Sequence, residues 1–289
     1  MKEVITPNFF VVGSQKAGTT TFYDIFSKHP EVYIPKKKEL RFFTYHYSKG
    51  IDWYLEKYFQ LPENNNYKAI GEVNPGYISS PLVPSRIREH LGANTKIIIL
   101  MRQPVKRAYS AYNMFKKTEN EVFKDWTKYN FETQIKKELN GEVNSNYIKQ
   151  GLYFENYSRF KQEFGAKNIK LIIFEEFIGN NRKVILDDIC GFLGISPLIS
   201  STASVHANKA SLPRKKWLKF VYNSNPVMRY IRNYLNSFPR TKSYLKSLFT
   251  VSPPKLSNEL INKITEDYFE EDIILLEKEL GFKIDKWNR

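Results

Sequence analysis

Short apolar runs alternate along this chain with segments whose apolar residues recur at helical spacing. The apolar runs are strand-length and largely continuous, which is typical of parallel strands buried on both faces. They span residues 9–12, 69–73, 96–101 and 170–174. Helical spacing covers 22–26, 53–59, 85–91, a segment starting at Pro104, 184–192 and 260–280. This alternation predicts an α/β fold of three layers, a central parallel sheet flanked by helices.

The loop after the first strand combines glycine, lysine and hydroxyl residues. Gly13 and Gly18 bound it, Lys16 lies inside it, and a threonine run, residues 19–21, opens the next helix. Backbone N–H groups of such a loop and of a helix start bind phosphate, and a lysine adds a full positive charge. The sequence is not a Walker A loop, because the residue after Gly18 is Thr19 and the lysine comes two positions before Gly18. We therefore predict a P-loop-like anion site of a different type.

A second charged loop follows the strand at 96–101. Nucleotide hydrolases place a magnesium-binding aspartate at a strand end of this kind. Here the strand ends at Arg102, and Ser110 follows eight residues later on a predicted helix. An arginine and a serine in this arrangement can hold a second phosphate group. The pattern predicts two separate anion sites and no required metal, which disfavours ATP or GTP hydrolysis.

The composition is typical of a globular protein. The 289 residues are 42% hydrophobic and contain a single cysteine, Cys190, which the pattern around it places in the core. No apolar run reaches the length of a membrane span, and the N-terminus lacks a signal-peptide pattern. We expect one domain, residues 1–289, in a reducing, cytoplasmic compartment.

The net charge of +15 is unevenly distributed. Residues 189–258 contain no aspartate or glutamate but eleven lysines and arginines. We interpret 212–255 as a basic helical cap or insertion. Its surface is a solvated face of that cap, a peripheral contact with a membrane surface, or one wall of a groove for a polyanionic glycan.

Four ordered motifs carry a resemblance to a known family. Residues 15–21 resemble the 5′-phosphosulfate loop of sulfotransferases that use 3′-phosphoadenosine 5′-phosphosulfate (PAPS), and 102–110 resemble their 3′-phosphate motif. Residues 38–43 and 72–77 resemble segments of the heparan-sulfate-type branch. The matching segments run from about 8 to 192, roughly two-thirds of the chain. The resemblance implies transfer of a sulfuryl group from PAPS, with PAP as the product.

The resemblance also assigns site residues. Lys16 stabilises the departing phosphate, helped by backbone N–H groups. Glu72 is the predicted general base, as the glutamate ahead of an x-x-Pro-x-Tyr segment. The predicted donor-binding residues are Lys16, Ala17, Gly18, Thr19, Thr20, Thr21, Arg102, Ser110 and, on a loose correspondence to a closing basic loop, Lys209.

The remaining candidates lie around the motif at 38–43. Lys38 matches a lysine that the branch keeps near the reacting group, whereas Glu39 is expected to orient a neighbour. Arg41 stands where many relatives carry histidine. His46 is a weaker candidate base, and Tyr153 either lines the site or belongs to the core.

The sequence therefore predicts a sulfotransferase acting on a hydroxyl or, less favoured, an amine. A carbohydrate or glycoconjugate is the leading acceptor, and a small natural-product alcohol or amine is the alternative. A P-loop kinase and a basic nucleic-acid-binding protein are remote alternatives. No recognition module for nucleic acid is evident, so no nucleic-acid partner is expected.

Overall fold

The computed structural model describes residues 2–62, 65–118, 121–198, 212–213 and 249–287. Its strands are β1 Lys2–Val4, β2 Phe9–Gly13, β3 Val32–Tyr33, β4 Gln60–Pro62, β5 Ala69–Val73, β6 Lys96–Met101, β7 Ile169–Ile173, β8 Leu212–Pro213 and β9 Thr250–Val251. The helices are α1 Thr19–Phe26, α2 Ile51–Tyr58, α3 Val83–Leu91, α4 Pro104–Thr118, α5 Phe131–Leu139, α6 Tyr153–Phe164, α7 Phe174–Phe177, α8 Arg182–Leu193, α9 Asn258–Tyr268 and α10 Glu270–Leu280.

Five strands form the central sheet, in the order β3-β5-β2-β6-β7. Every neighbouring pair in this sheet is parallel. Parallel strands end at the same edge, so the loops after β2, β5 and β6 converge there. The predicted parallel sheet between helices is confirmed, and it brings the two charged loops together.

Alternate residues of the central strands point into two separate cores. Phe10 and Ile97 belong to one hydrophobic cluster, whereas Phe9 and Ile98 belong to the other. Each cluster packs helices against one face of the sheet, which gives the three layers. Burial on both faces explains why these strands read as continuously apolar.

The long helix predicted over 260–280 is wrong, because the structure contains two helices there. Phe269 leaves the helical conformation, with φ −130° and ψ −12°, and separates α9 from α10. Its side chain is only 1% exposed. A Cβ on Gly151 would lie 2.7 Å from its ring, so the glycine provides the space that this ring occupies. The break thus turns an aromatic ring into the core, a tertiary effect that periodicity along the chain does not reveal.

Several sequence predictions fall on residues outside the described part. They include Lys209 and most of the basic region at 189–258. Within the ranges that are described, no helix is long and apolar enough to cross a membrane. Cys190 lies on α8 and is buried, as predicted.

Candidate active site

A small cavity of about 160 Å³ opens where the loops after β2, β5 and β6 meet. It contains residues from the loop after β2, the first turn of α1, the tip of β6 and helix α4. The lining residues are Gln15, Lys16, Gly18, Thr19, Thr20, Thr21, Glu39, Pro75, Arg102, Ser110, Met114 and Phe174. Both anion-binding loops predicted from the sequence therefore line one cavity.

The backbone between β2 and α1 is shaped to hold an anion. Lys16 and Gly18 have left-handed φ values of 71° and 95°, and backbone turned in this way forms concave N–H nests. A Cβ on Gly18 would lie 2.8 Å from the Phe174 ring, so only glycine fits there. No side chain of the described residues caps the start of α1. The first-turn N–H groups, which have no partner inside a helix, are thus available to a ligand.

Two cations, Lys16 and Arg102, face this nest, and neither forms an ion pair with a carboxylate in the described part of the chain. The guanidinium of Arg102 donates a hydrogen bond to the backbone carbonyl of Lys16, at 3.1 Å, and lies 4.9 Å from the Phe174 ring centre. Burial, and secondarily the neighbouring Arg102 charge, lowers the pKa of Lys16. Burial also lowers the pKa of Arg102. No ion pair between described residues involves either side chain. An anion bound between them would raise both pKa values and stabilise both charged forms.

Arg102 is held in place by a buried tyrosine. The Tyr153 hydroxyl donates to the Arg102 carbonyl at 2.7 Å and accepts from the Arg102 N–H at 3.2 Å. The Ser14 hydroxyl also donates to it, at 3.4 Å. Tyr153 is completely buried, so of the two sequence alternatives the core position is correct. The Tyr153 hydroxyl thus connects the tip of β6, at Arg102, with the loop after β2, at Ser14.

Tyr153 in turn depends on the start of α6. Asp272 of α10 accepts hydrogen bonds from the N–H groups of Phe154 and Glu155, at 3.0 and 3.1 Å. A carboxylate at a helix start satisfies free N–H groups and interacts favourably with the helix dipole. Helix α10, which lies more than 100 residues later in the chain, therefore helps to position Tyr153, the residue that holds Arg102.

A second cavity, of about 340 Å³, shares Arg102 and Ser110 with the first. Lys106 of α4 and Lys255 of the 252–257 segment add two further cations to its wall. That segment is tied to α4 because the Tyr109 hydroxyl donates to the Pro254 carbonyl at 2.8 Å. Sequence reasoning missed both lysines. Lys106 could have been found, since it precedes Ser110 by one helical turn, but no local pattern marks Lys255.

Lys38 lies beside the start of α1. Its ammonium donates to the Thr20 hydroxyl at 3.4 Å and lies 5.0 Å from the centre of the Tyr23 ring. Thr20 itself lines the cavity. The structure thus brings Lys38 next to the anion nest, as the sequence motif implies.

Glu72 is fully enclosed. Its side chain is 1% exposed and accepts four hydrogen bonds. The donors are the hydroxyls of Tyr54 (2.7 Å) and Tyr77 (3.2 Å), the Leu40 N–H (3.0 Å) and the Asn74 amide (3.0 Å). Burial raises the pKa of this carboxyl, although the four hydrogen bonds act in the opposite direction. Glu72 does not line the cavity, and acting as a base would require this network to open.

Glu39 is the carboxylate that does line the cavity. Its side chain is 42% exposed, and it pairs with Arg41 at 3.2 Å. The backbone N–H of Leu40, the next residue, is one of the four donors to Glu72. Glu72 therefore fixes the loop from which Glu39 projects. The sequence predicts that Glu39 orients a neighbour. In the structure, Glu39 rather than Glu72 is the carboxylate that is exposed to the cavity.

The described histidines lie away from the cavity. His46 packs against Trp53, with ring centres 5.8 Å apart, and His29 contacts the Ser196 carbonyl. His90 interacts with the Tyr47 hydroxyl. None of these three lines the cavity, and His206 is outside the described residues. The geometry gives no support to His46 as a base.

Known proteins share this sequence pattern and this fold. A 112-residue segment is 39% identical to the membrane-associated sulfotransferase kil1 of Dictyostelium discoideum, covering 39% of this chain and 24% of that protein. A 220-residue segment is 28% identical to bifunctional heparan sulfate N-deacetylase/N-sulfotransferase 1 of Mus musculus, covering 72% of this chain and 24% of that protein. The chain thus spans about a quarter of the length of these curated relatives.

A solved structure agrees in fold. The sulfotransferase from Alicyclobacillus acidocaldarius is similar over 99% of this chain and 100% of its own, with a TM-score of 0.68 and 23% identity. The model of the sulfotransferase domain family matches residues 6–239 of this chain. That match spans the sheet and both anion-binding loops. The chain belongs to the sulfotransferase domain family.

Proposed function

We propose that this protein transfers a sulfuryl group from PAPS to a hydroxyl, or less favourably an amine, of a carbohydrate acceptor. The observation that carries the proposal is the pair of cations, Lys16 and Arg102, in one cavity at a helix start without a carboxylate partner among the described residues. Sulfotransferases of this family use PAPS, whose two ends are both anionic.

The two adjoining cavities fit such a donor. The nest around Gly18 and Thr19, with Lys16, is suited to the phosphosulfate end. Arg102 and Ser110, shared with the second cavity, are suited to the 3′-phosphate. Lys106 and Lys255 add positive charge on that side. Bound PAPS supplies a sulfuryl group already joined to a phosphate that can leave.

The chain's own groups stabilise charge and remove a proton. The acceptor oxygen loses its proton to a carboxylate and forms a bond to sulfur, while the bond from sulfur to the phosphate oxygen breaks and its electron pair stays on the phosphate. Lys16 and the N–H groups of the nest stabilise that charge. Lys38, through its contact with Thr20, adds a cation beside the reacting group.

Two carboxylates compete for the role of base. Glu72 as the base stays a prediction from the sequence. Because its carboxylate is buried and bonded to four donors, this network would have to open before Glu72 could accept a proton. Glu39 is the candidate that the geometry supports best, because a base must reach the proton that it removes and Glu39 lines the cavity. The E39Q and E72Q variants separate these assignments.

The carbohydrate class of acceptor is supported by the heparan sulfate relative. A small natural-product alcohol or amine is the second candidate, since the residues proposed to bind the donor do not determine the kind of acceptor. A cytoplasmic location and a membrane-surface contact through the basic region both stay predictions from the sequence.

The test compares ligands first and transfer second. PAP should raise the melting temperature more than ADP does, because ADP lacks the 3′-phosphate for Arg102 and Ser110. Transfer of labelled sulfate from PAPS to a panel of glycans and small alcohols should follow. Equal stabilisation by PAP and ADP, together with magnesium-dependent ATP turnover, would overturn the proposal in favour of a nucleotide kinase or hydrolase.

A further inference from the structure

The loop that carries Glu39 also carries a cation that contacts this cavity-lining carboxylate. Arg41 donates a hydrogen bond to the Glu39 carboxylate at 3.2 Å, and its side chain is 51% exposed. An ion pair this open to water is weak, because solvent screens it and two side chains must be held in place. Arg41 can therefore exchange its partner at little cost.

The backbone of this loop is held in an unfavourable conformation. Glu39 and Arg41 both have left-handed φ values, 55° and 58°, although neither is glycine. Such residues persist only where their surroundings enforce them, and they are concentrated at functional sites. Here the Glu39 N–H donates to the Val73 carbonyl at 3.2 Å, and the Leu40 N–H is fixed by Glu72. The backbone positions from which these two charged side chains project are thus fixed.

The turn after Arg41 presents an aromatic ring to solvent. The Arg41 carbonyl accepts hydrogen bonds from the N–H groups of Tyr45 (2.9 Å) and His46 (3.2 Å) and from the Thr44 hydroxyl (3.2 Å). Tyr45 is 76% exposed, so burial does not explain its position. Its ring centre lies 5.8 Å from the Arg41 guanidinium carbon. A rigid ring with one open face and a neighbouring cation forms a binding surface for a flat or ring-shaped anionic group.

We propose that Arg41 and Tyr45 recognise the acceptor, and that Arg41 exchanges Glu39 for an oxyanion, a carboxylate or sulfate, carried by the acceptor. This inference rests on the proposed sulfuryl transfer. Tyr45 contacts the face of the acceptor ring, and the fork of Arg41 binds the oxyanion through two parallel N–H donors. The exchange frees one oxygen of Glu39 beside the cavity when a charged acceptor arrives. Productive acceptors therefore carry a negative charge near the group that receives sulfate.

The test uses two acceptors that differ only at one carbon. 4-Nitrophenyl β-D-glucuronide carries a carboxylate where 4-nitrophenyl β-D-glucoside carries a neutral CH₂OH. Binding of each to the PAP-loaded protein is measured by saturation-transfer NMR titration, and transfer is measured from labelled PAPS. We expect the wild-type protein to prefer the glucuronide, and R41A to reduce that preference about ten-fold or more.

Control variants separate this role from a merely structural one. Lys136 forms an ion pair of similar exposure with Glu132 on α5, and K136A should keep the preference. Y45A should weaken binding of both glycosides, whereas Y45F should retain it, because the ring rather than the hydroxyl makes the contact. PAP-induced thermal stabilisation of each variant verifies that it is folded.

The outcomes are distinct from failure of the proposed function. Equal binding of the two glycosides to the wild-type protein, absence of binding by both, or a preference that survives in R41A would each overturn the inference. The proposed function would still stand if PAP stabilises the protein and some acceptor receives sulfate.

Discussion

The proposed donor side and the proposed acceptor side of the cavity are built by different means. On the proposed donor side, backbone N–H groups at a helix start and two cations line one cavity. On the proposed acceptor side, Glu39 and Arg41 of the 38–46 loop pair with each other, and Glu72 of β5 accepts four hydrogen bonds, one of them from this loop. Among the described residues, the two cations of the first region form no ion pair, whereas Arg41 of the second region pairs with Glu39 and must exchange this partner to bind a charged acceptor. Donor affinity should therefore depend on single cations, and acceptor selectivity on exchange between partners.

Of the variants considered, removal of the Lys16 side chain should lower the rate of sulfuryl transfer the most. K16A leaves the leaving phosphate without its cation, and we expect transfer to fall about 1,000-fold. Steady-state transfer from labelled PAPS measures the loss. K28A removes an exposed lysine just beyond the other end of α1 and should have little effect. Comparable losses in both variants would show that total charge, rather than the cavity, controls transfer.

The two carboxylates give the next largest effect. E39Q should lower kcat about 100-fold while PAP binding is kept, as expected for loss of a proton acceptor. E72Q should lower kcat less, because it acts through the position of the 38–46 loop. Measurement of kcat and of PAP affinity for both variants separates them. If E72Q loses more activity than E39Q, with PAP affinity unchanged, the base is Glu72 as the sequence predicts.

The sequence identifies the segments that line the first cavity because their signals are local. Gly18, the threonines and the strand tip at Arg102 each mark a position that a short segment defines. The acceptor side could not be predicted in the same way. The environment of Glu72 is created by Tyr54, eighteen residues earlier, and by Leu40. A buried structural carboxylate and an open one look alike in a sequence, so the family resemblance and the strand-end position of Glu72 predict it as the base without showing that it is enclosed.

The remote parts of the site show the same limit. Lys255 reaches the second cavity from a segment that Tyr109 holds across 145 residues. The break at Phe269 depends on space at Gly151. Both depend on contacts between distant segments, which neither periodicity nor spacing encodes.

Loss of the Tyr153 hydroxyl should weaken the donor side moderately. Y153F removes the contacts to both backbone groups of Arg102 and to Ser14. We expect PAP affinity to fall about ten-fold, since a buried polar group loses its partner. Calorimetric titration with PAP measures this change. Tyr157, one turn later on α6, bonds Glu279 instead, and an equal loss in Y157F would contradict a specific role for Tyr153.

The pH dependence of stability should report on the protonation of the buried Glu72. Burial raises the pKa of Glu72, so the folded protein holds this proton more tightly than the unfolded chain does. The free energy of unfolding should therefore fall as pH rises from the ordinary glutamate pKa through the raised one. Urea unfolding at a series of pH values should show a shallower fall for E72Q. An unchanged slope would mean that Glu72 is already ionised throughout this range.

Chelation should have the smallest effect. Transfer supported by Lys16 and the backbone nest needs no divalent cation, so EDTA should leave the rate within about two-fold. A larger loss that added magnesium restores would contradict the metal-free prediction and would change the account of the donor side.

The support of Arg102 has a consequence for how the protein assembles. Arg102, Tyr153 and Asp272 come from three distant parts of the chain, and contacts of such large sequence separation form slowly during folding. The nest after β2 is local, but its second cation acquires its support only when α10 has docked on α6. Recovery of PAP binding during refolding should therefore lag behind formation of helices. The rate at which PAP binding recovers would then report the rate at which the last long-range contacts of the fold form.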